Sequence, residues 1–285
     1  MSQARLMDGT ALARRTVEET GKRAAELAAR TGTAPCLATV LVGEDPASVT
    51  YVRMKQNRCR QAGITSRHVA LPAATTTGEL VATVEGLSAD PGVHGILLQH
   101  PVGDHIDERA AFEAIAPGKD VDGVTFASFA TMSFGLPGFV SCTPGGIMRL
   151  LDEYGVDPAG KRAVVVGRSA ILGKPVGMLL LARDATVTYC HSRTRDLSAA
   201  VREADIVVAA VGRPRLIRGQ DIKPGAVVID AGYNAGNVGD VDFDSAVERA
   251  SLITPVPGGV GPMTIATLLE QTVEAAAHQL GVAGV

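Results

Sequence analysis

Two hydrophobic patterns take turns along the chain, short runs of apolar and β-branched residues and longer stretches with a helical period. From Ala11 to Ala29 charged residues are interleaved with Val17, Leu27 and alanines, a surface helix that Thr31-Gly32 ends. Pro35 to Val42 predicts a short buried strand closed by Gly43, and Ser48 is placed to cap a helix carrying Tyr51, Val52, Met54, Lys55 and Cys59, with Gly63 as its stop. Gly95 to Gln99 reads as a second strand, and Ile147 to Tyr154 as an apolar helix following Cys142-Thr143-Pro144-Gly145-Gly146. Val164 to Val166 predicts a buried strand, Gly167 and Gly173 frame a tight loop, and Pro175 suits the first turn of a helix carrying Met178 to Leu181. Strands follow at Ala185 to Tyr189, Asp205 to Val211, Gly225 to Asp230 and Ser251 to Thr254, and a last helix at Met263 to about His278.

Strands and helices in alternation predict the α/β class. The division expected is an N-terminal αβα domain over residues 1–142 and a Rossmann-like domain over 143–262, with a C-terminal helix, 263–285, returning to the first.

Composition narrows the function classes. A 285-residue chain with 46% hydrophobic and 20% charged residues reads as a globular protein of one large or two ordinary domains. A net charge of −3 and the lack of any lysine-arginine run argue against a nucleic-acid partner. Cys36, Cys59, Cys142 and Cys190 form no C-x-x-C pair and are expected as buried free thiols. The start M-S-Q-A-R-L-M-D has no apolar signal core and no run reaches membrane-spanning length, so a cytoplasmic protein is expected.

The candidate chemistry sits where strands end. The stretch R-A-V-V-V-G-R-S-A-I-L-G-K-P, Arg162 to Pro175, is a strand, a glycine-framed loop and a helix start, which together point backbone N–H groups at one spot suited to a pyrophosphate. Its pattern is G-x-S-x-x-x-G, so a tight turn without ligand is the competing reading. At the end of the next strand an NAD-specific domain carries an acidic residue; here stand Ser192, Arg193 and Arg195, which suit a 2′-phosphate and favour NADP.

In the first half, Tyr51 and Lys55 are one helical turn apart, either as surface decoration or as a phenol and amine facing a ligand. Gln99 ends its strand either facing substrate or bonding a neighbouring loop. Asp120 and Asp122, in K-D-V-D-G, bind a cationic or amidine-like ligand or cap a turn; metal is the weakest option, since His105 is the one histidine near in sequence.

In order along the chain, Y-V-R-M-K, G-I-L-L-Q-H-P, P-G-K-D-V-D-G, C-T-P-G-G, G-R-S-A-I-L-G-K-P, T-V-T-Y-C-H-S-R-T, V-V-I-D-A-G-Y-N and I-T-P-V-P-G-G-V-G-P-M-T resemble the bifunctional methylenetetrahydrofolate dehydrogenase/cyclohydrolase family. The resemblance implies NADP-dependent oxidation of 5,10-methylenetetrahydrofolate, hydrolysis of the methenyl product to 10-formyltetrahydrofolate for one-carbon metabolism and purine biosynthesis, no metal, and a homodimer formed through the nucleotide domains. It places the catalytic lysine on Lys55, its tyrosine partner on Tyr51, the catalytic amide on Gln99 and the pterin-binding aspartate on Asp122. Gly167, Arg168 and Ser169, with Gly173 closing the loop, match the phosphate turn, and Ser192, flanked by Arg193, matches the 2′-phosphate contact. The loop with Pro257, Gly258, Gly259 and Gly261 matches the one that lines the folate site. Three departures stand out: His100 in place of leucine, Tyr233 in place of isoleucine near the nicotinamide, and an altered Val124 to Gly135 segment.

Overall fold

The computed structural model describes residues 3–283 except residue 45, and the side chains of residues 46–51 lie outside the described residues. The described strands are β1 (Arg5–Leu6), β2 (Cys36–Val42), β3 (Thr65–Leu71), β4 (Gly95–Gln99), β5 (Arg162–Val166), β6 (Thr186–Cys190), β7 (Ile206–Ala209), β8 (Val227–Asp230) and β9 (Leu252–Ile253). They form two all-parallel sheets in two compact units.

One unit comprises Arg14–Ala130, Gly138–Val140 and the residues from Ile265 onward, with a three-stranded sheet in the order β3-β2-β4. The central strand β2 is buried along its whole length, with Val40 opposite Val69 and Leu98 in the two ladders. An apolar run without polar alternation fits a strand covered on both faces. The edge strand β3, T-S-R-H-V-A-L, has no such signature because it leaves Arg67 and His68 exposed. The last helix, Val260–Gln279, is tied into this unit from Ile265 on by two amide side chains. Gln271 Nε2 donates to the carbonyls of Val121 (2.8 Å) and Val140 (3.0 Å), and Gln279 Nε2 donates to those of His94 (2.8 Å) and Gly118 (3.0 Å). Ala276 and Ala277 pack with Leu27 of the same unit.

His94, fully buried just before β4, accepts a hydrogen bond at Nδ1 from the Cys36 amide (3.0 Å), which places its proton on Nε2. Burial, and behind it the Lys119 charge, holds its pKa below the usual 6.5. A base with a depressed folded-state pKa takes up its proton more readily when unfolded, so stability is lost as pH falls through about 6.5 toward the folded value. His94→Asn, whose Oδ1 can take the Cys36 amide, is expected to flatten that arm by up to ~1.4 kcal/mol per pH unit. Melting temperatures of both proteins from pH 7.5 to 5 check this, and parallel curves exclude it.

The other unit comprises the residues up to Ala13, Thr131–Pro137 and Ser141–Thr264. Its sheet runs β1-β9-β8-β7-β5-β6, around a core of Val164, Val166, Val207, Val228 and Ile253. The N-terminal residues depart from the expected division at 1–142. They group with the second unit because β1 extends its sheet in register with β9, and the Ala4 and Met7 amides donate to Val247 (2.8 Å) and Ile253 (2.9 Å). Two residues, Arg5 and Leu6, are too short a strand to show a period.

Three element starts also differ from expectation. Helix Pro46–Gln61 begins before Ser48, which therefore lies within the first turn. Helix Cys142–Glu153 takes in the C-T-P-G-G stretch, whose Gly146 meets Met263 so closely that a Cβ would lie 2.9 Å from the methionine Cβ. The glycine pair reads as a loop signal, yet Gly146 serves the close approach of two helices. Likewise Gly261 lies in the first turn of Val260–Gln279.

Candidate active site

In the three-stranded unit, the helix Pro46–Gln61 brings Lys55 to the carboxyl end of β4. Lys55 Nζ donates to Gln99 Oε1 at 2.9 Å, both side chains being half-buried, and Gln99 Nε2 donates to the His100 carbonyl at 2.9 Å. Gln99 thus bonds the neighbouring loop, one of the two readings its position allowed, with one end of its amide and the Lys55 amine with the other. An uncharged acceptor can hold either protonation state of an amine, whereas a carboxylate favours the cation. The Tyr51 backbone lies one turn before Lys55 on the same helix, while its side chain lies outside the described residues.

His100 contributes its backbone carbonyl to Gln99 and sets its ring edge-on against buried Phe112, centroids 6.2 Å apart at 79°. Its ring serves as a packing group beside the lysine–amide pair.

The P-G-K-D-V-D-G stretch divides its charges among different tasks. Lys119 Nζ donates to the Leu87 (3.4 Å) and Asp90 (2.6 Å) carbonyls at the end of helix Thr77–Ala89, where a cation complements the helix dipole. Asp120, fully buried, accepts from the Val124 and Thr125 amides and from the Thr125 and Ser128 hydroxyls, tying down the start of helix Phe126–Ser133. Asp122 is half-buried two residues on. Of the readings open for the two aspartates, Asp120 takes the turn-capping one.

In the six-stranded unit, β5 runs into the glycine-framed turn. A Cβ on Gly167 would lie 2.2 Å from the Ala210 carbonyl oxygen, and one on Gly173 would lie 2.6 Å from the Gly167 carbonyl and 2.7 Å from the Arg168 nitrogen. Gly167 also has φ +135°. Ser169 closes the turn, its Oγ accepting from the Gly173 amide (3.1 Å) and its carbonyl from Lys174 (3.0 Å), while Arg168 and Ser169 stay exposed. The two glycines let backbone pack this closely in the turn, and a strand, tight turn and helix start of this kind suits a pyrophosphate. After β6, His191 and Thr194 close a turn through the His191 amide and Thr194 Oγ1 (2.9 Å), which presents Ser192 and Arg193 to solvent. A hydroxyl and a guanidinium with no acid at this strand end fit a 2′-phosphate.

Beyond β8, Tyr233 is 57% exposed, and its hydroxyl donates to Asn237 Oδ1 at 2.5 Å. Asp230, at the end of β8, accepts from the Gly232, Asp240 and Val241 amides. Burial pushes it up to about 6 against the pull of those donors, and the neighbouring Asp240 charge adds to the rise. Neither aspartate was singled out from the sequence, although an acid closing a buried strand, V-V-I-D, was its available signal. In the Pro255 to Thr264 loop, Pro257 is exposed and the Gly258 carbonyl accepts from the Thr10 amide (3.0 Å). Gly9 passes so close to Gly259 that a Cβ on it would lie 1.8 Å from the Gly259 oxygen. Asp8 starts the helix Gly9–Thr31 by accepting from the Ala11 amide at 3.0 Å. Asp8 and Gly9 are further residues the sequence pattern had not marked.

An all-parallel sheet with a glycine-framed turn beyond β5 and a phosphate-suited turn beyond β6 defines a dinucleotide-binding α/β domain; the three-stranded unit carries the Lys55–Gln99 pair. Sequence models of the tetrahydrofolate dehydrogenase/cyclohydrolase catalytic domain and of its NAD(P)-binding domain match residues 7–122 and 141–280. The chain belongs to the tetrahydrofolate dehydrogenase/cyclohydrolase family. It is 81% identical over 279 residues to bifunctional protein FolD 1 of Streptomyces avermitilis, covering 98% of this chain and 97% of that one. Its structure is similar to FolD of Campylobacter jejuni, with a TM-score of 0.94, 44% identity and coverage of 96% and 99%. It is equally similar to the Trypanosoma brucei dehydrogenase-cyclohydrolase complexed with NADP cofactor and inhibitor, with a TM-score of 0.94, 40% identity and coverage of 98% and 99%. Among the described residues no helix is long and apolar enough to cross a membrane.

Proposed function

We propose that Lys55 is the proton-transfer group of this bifunctional enzyme, with Gln99 orienting it, Tyr51 shaping the pocket and Asp122 binding the pterin. The enzyme oxidises 5,10-methylenetetrahydrofolate with NADP and hydrolyses the methenyl product to 10-formyltetrahydrofolate. The observation that carries the assignment is the 2.9 Å bond from Lys55 Nζ to an uncharged amide at a strand end.

NADP, when bound, supplies the hydride acceptor. Gly167, Arg168, Ser169 and Gly173 would hold its pyrophosphate, Ser192 and Arg193 its 2′-phosphate, and Tyr233 would serve its nicotinamide end. The folate nitrogens stabilise the cation left by oxidation, so in that step the protein's task is to hold the reactants in line. Pro257, Gly258, Gly259 and Gly261 contribute to the folate site. Hydrolysis asks more of the chain. As a water oxygen bonds to the amidinium carbon, Lys55 takes a water proton; when the carbon–N5 bond breaks, a proton returns to N5 and one is released overall. Asp122 accepts hydrogen bonds from the pterin amino group and ring N–H.

A coupled assay tests the reading: purified enzyme is given 5,10-methylenetetrahydrofolate with NADP or NAD, and reduced cofactor and methenyl product are followed separately. Reduction with NADP preferred, without methenyl accumulating above its uncatalysed level, is expected. Accumulating methenyl would remove the hydrolytic role from Lys55. For the cofactor residues, Ser192→Asp sets a carboxylate against the 2′-phosphate and is expected to raise the NADP KM about tenfold or more. An unchanged KM would clear Ser192 of that contact.

The same reading makes the protein a cytoplasmic homodimer. Its four cysteines are free and buried, as suits a reducing compartment, and β6 leaves a strand edge at the side of the six-stranded sheet for a second copy. Light scattering at micromolar concentration is expected to give twice the 29.4 kDa chain mass.

A further inference from the structure

We propose that Asp240 is a positioning residue for the nicotinamide half of the cofactor, fixing the loops beyond β7 and β8 to one another at the turning point of the sheet; this rests on the NADP site proposed above. The strand order locates that point. From β5 the chain adds β6 on one side and β7, β8 and β9 on the other, so the order reverses between β5 and β7, where open parallel sheets receive a dinucleotide. The carboxyl ends of these two strands touch, since Gly167 has no space for a Cβ against the Ala210 oxygen and the Ala210 amide donates to the Val166 carbonyl at 2.8 Å.

The next three residues after Ala210 all donate to one carboxylate. Asp240 Oδ2 accepts from the amides of Val211 (2.7 Å) and Gly212 (3.0 Å), and Oδ1 accepts from the amide of Arg213 (2.8 Å). Oδ1 also accepts from Asn234 Nδ2 at 3.1 Å, and Asn234 exchanges backbone bonds with Val238 in the short hairpin that carries Tyr233. Gly232 lies so close that a Cβ would be 2.2 Å from the carboxyl carbon. Asp230 completes the tie by accepting from the Asp240 amide at 3.0 Å.

The side chain of Asp240 is wholly buried, and its four donors among the described residues all belong to these two loops. A charged group taken out of water is costly unless such donors surround it. Holding three successive amides gives the loop one conformation before any ligand arrives, which spares binding the cost of ordering it. Ser192 lies on the opposite side of β5, at the end of β6, so the two halves of the cofactor are served by separate supports.

Two ligands separate a positioning role from a structural one. Asp240→Asn turns an NH₂ toward backbone donors, and calorimetry is expected to show NADP bound about tenfold more weakly. Adenosine 2′,5′-bisphosphate, which lacks the nicotinamide half, is expected to bind within about twofold of wild type. Amide hydrogen exchange at 211–213 is expected to speed up in the ligand-free variant. Equal weakening of both ligands, or unchanged NADP affinity, overturns the proposal. If Asp240→Asn does not fold, Asn234→Ala, which cuts a single tie to the hairpin, must show the same split between the ligands. Ser192→Asp serves as the reference: if it leaves the bisphosphate affinity unchanged, the proposed NADP site itself fails, whereas weakening there with no split at Asp240 rejects this inference alone.

Discussion

Lys55→Met is expected to abolish hydrolysis of 5,10-methenyltetrahydrofolate while leaving NADP reduction measurable. Methionine keeps the unbranched length of lysine and removes the amine, so Gln99 Oε1 loses the donor now 2.9 Å away and the proposed proton acceptor is gone. A positioned acid or base contributes about 10²–10⁴-fold to such a step, and a loss of that size is what the hydrolysis assay should record. Hydride transfer needs no proton from Lys55, so its remaining rate reports how far the lysine also orients folate. Equal and small changes in both rates would return Lys55 to the status of a surface residue. Gln99→Glu supplies a companion measurement: a carboxylate favours the charged amine, and hydrolysis is expected to need a higher pH.

Gly173→Ala is expected to cost the enzyme its NADP affinity. The added methyl would sit 2.6 Å from the Gly167 carbonyl and 2.7 Å from the Arg168 nitrogen, distances at which backbone must move. Only backbone atoms are in the way, so no flexible side chain can yield, and the turn that presents Arg168 and Ser169 has to open. Overpacking of this kind costs ~1–3 kcal/mol, and if it falls on the bound form it weakens NADP by about tenfold to a hundredfold. Hydrolysis of added methenyltetrahydrofolate, which requires no cofactor chemistry, is expected to persist and shows that the variant is folded. NADP affinity equal to wild type in that folded variant would mean the turn is not the pyrophosphate site.

The division of labour within P-G-K-D-V-D-G shows where a sequence pattern stops informing. Lys119, Asp120 and Asp122 share the same local chemistry, and spacing alone gives no reason to prefer one of them as a ligand group. Packing decides: Lys119 reaches the end of a helix that ended about thirty residues earlier, and Asp120 is enclosed by the Thr125 and Ser128 hydroxyls. Glycine posed the same difficulty in C-T-P-G-G, where a turn signature turned out to be helix, because the missing side chain of Gly146 serves a close contact with Met263 rather than a bend.

By itself, the sequence determined the α/β class, the buried strands β2, β4, β5, β7 and β8, the turn between Gly167 and Gly173, and the polar strand end at Ser192. These are local properties: an apolar run long enough to be a strand, a glycine where a side chain has no place, a hydroxyl where an acid would otherwise stand. Tertiary structure decided the rest. Edge strand β3 and two-residue β1 have too little burial or length for a period, and only their partners β2 and β9 make them strands. Lys55 and Gln99 are 44 residues apart, and Asp240 meets the Val211 to Arg213 amides across nearly thirty. Hydrogen bonds over such separations exist only after the chain has closed on itself, so no local pattern of residues can encode their partners.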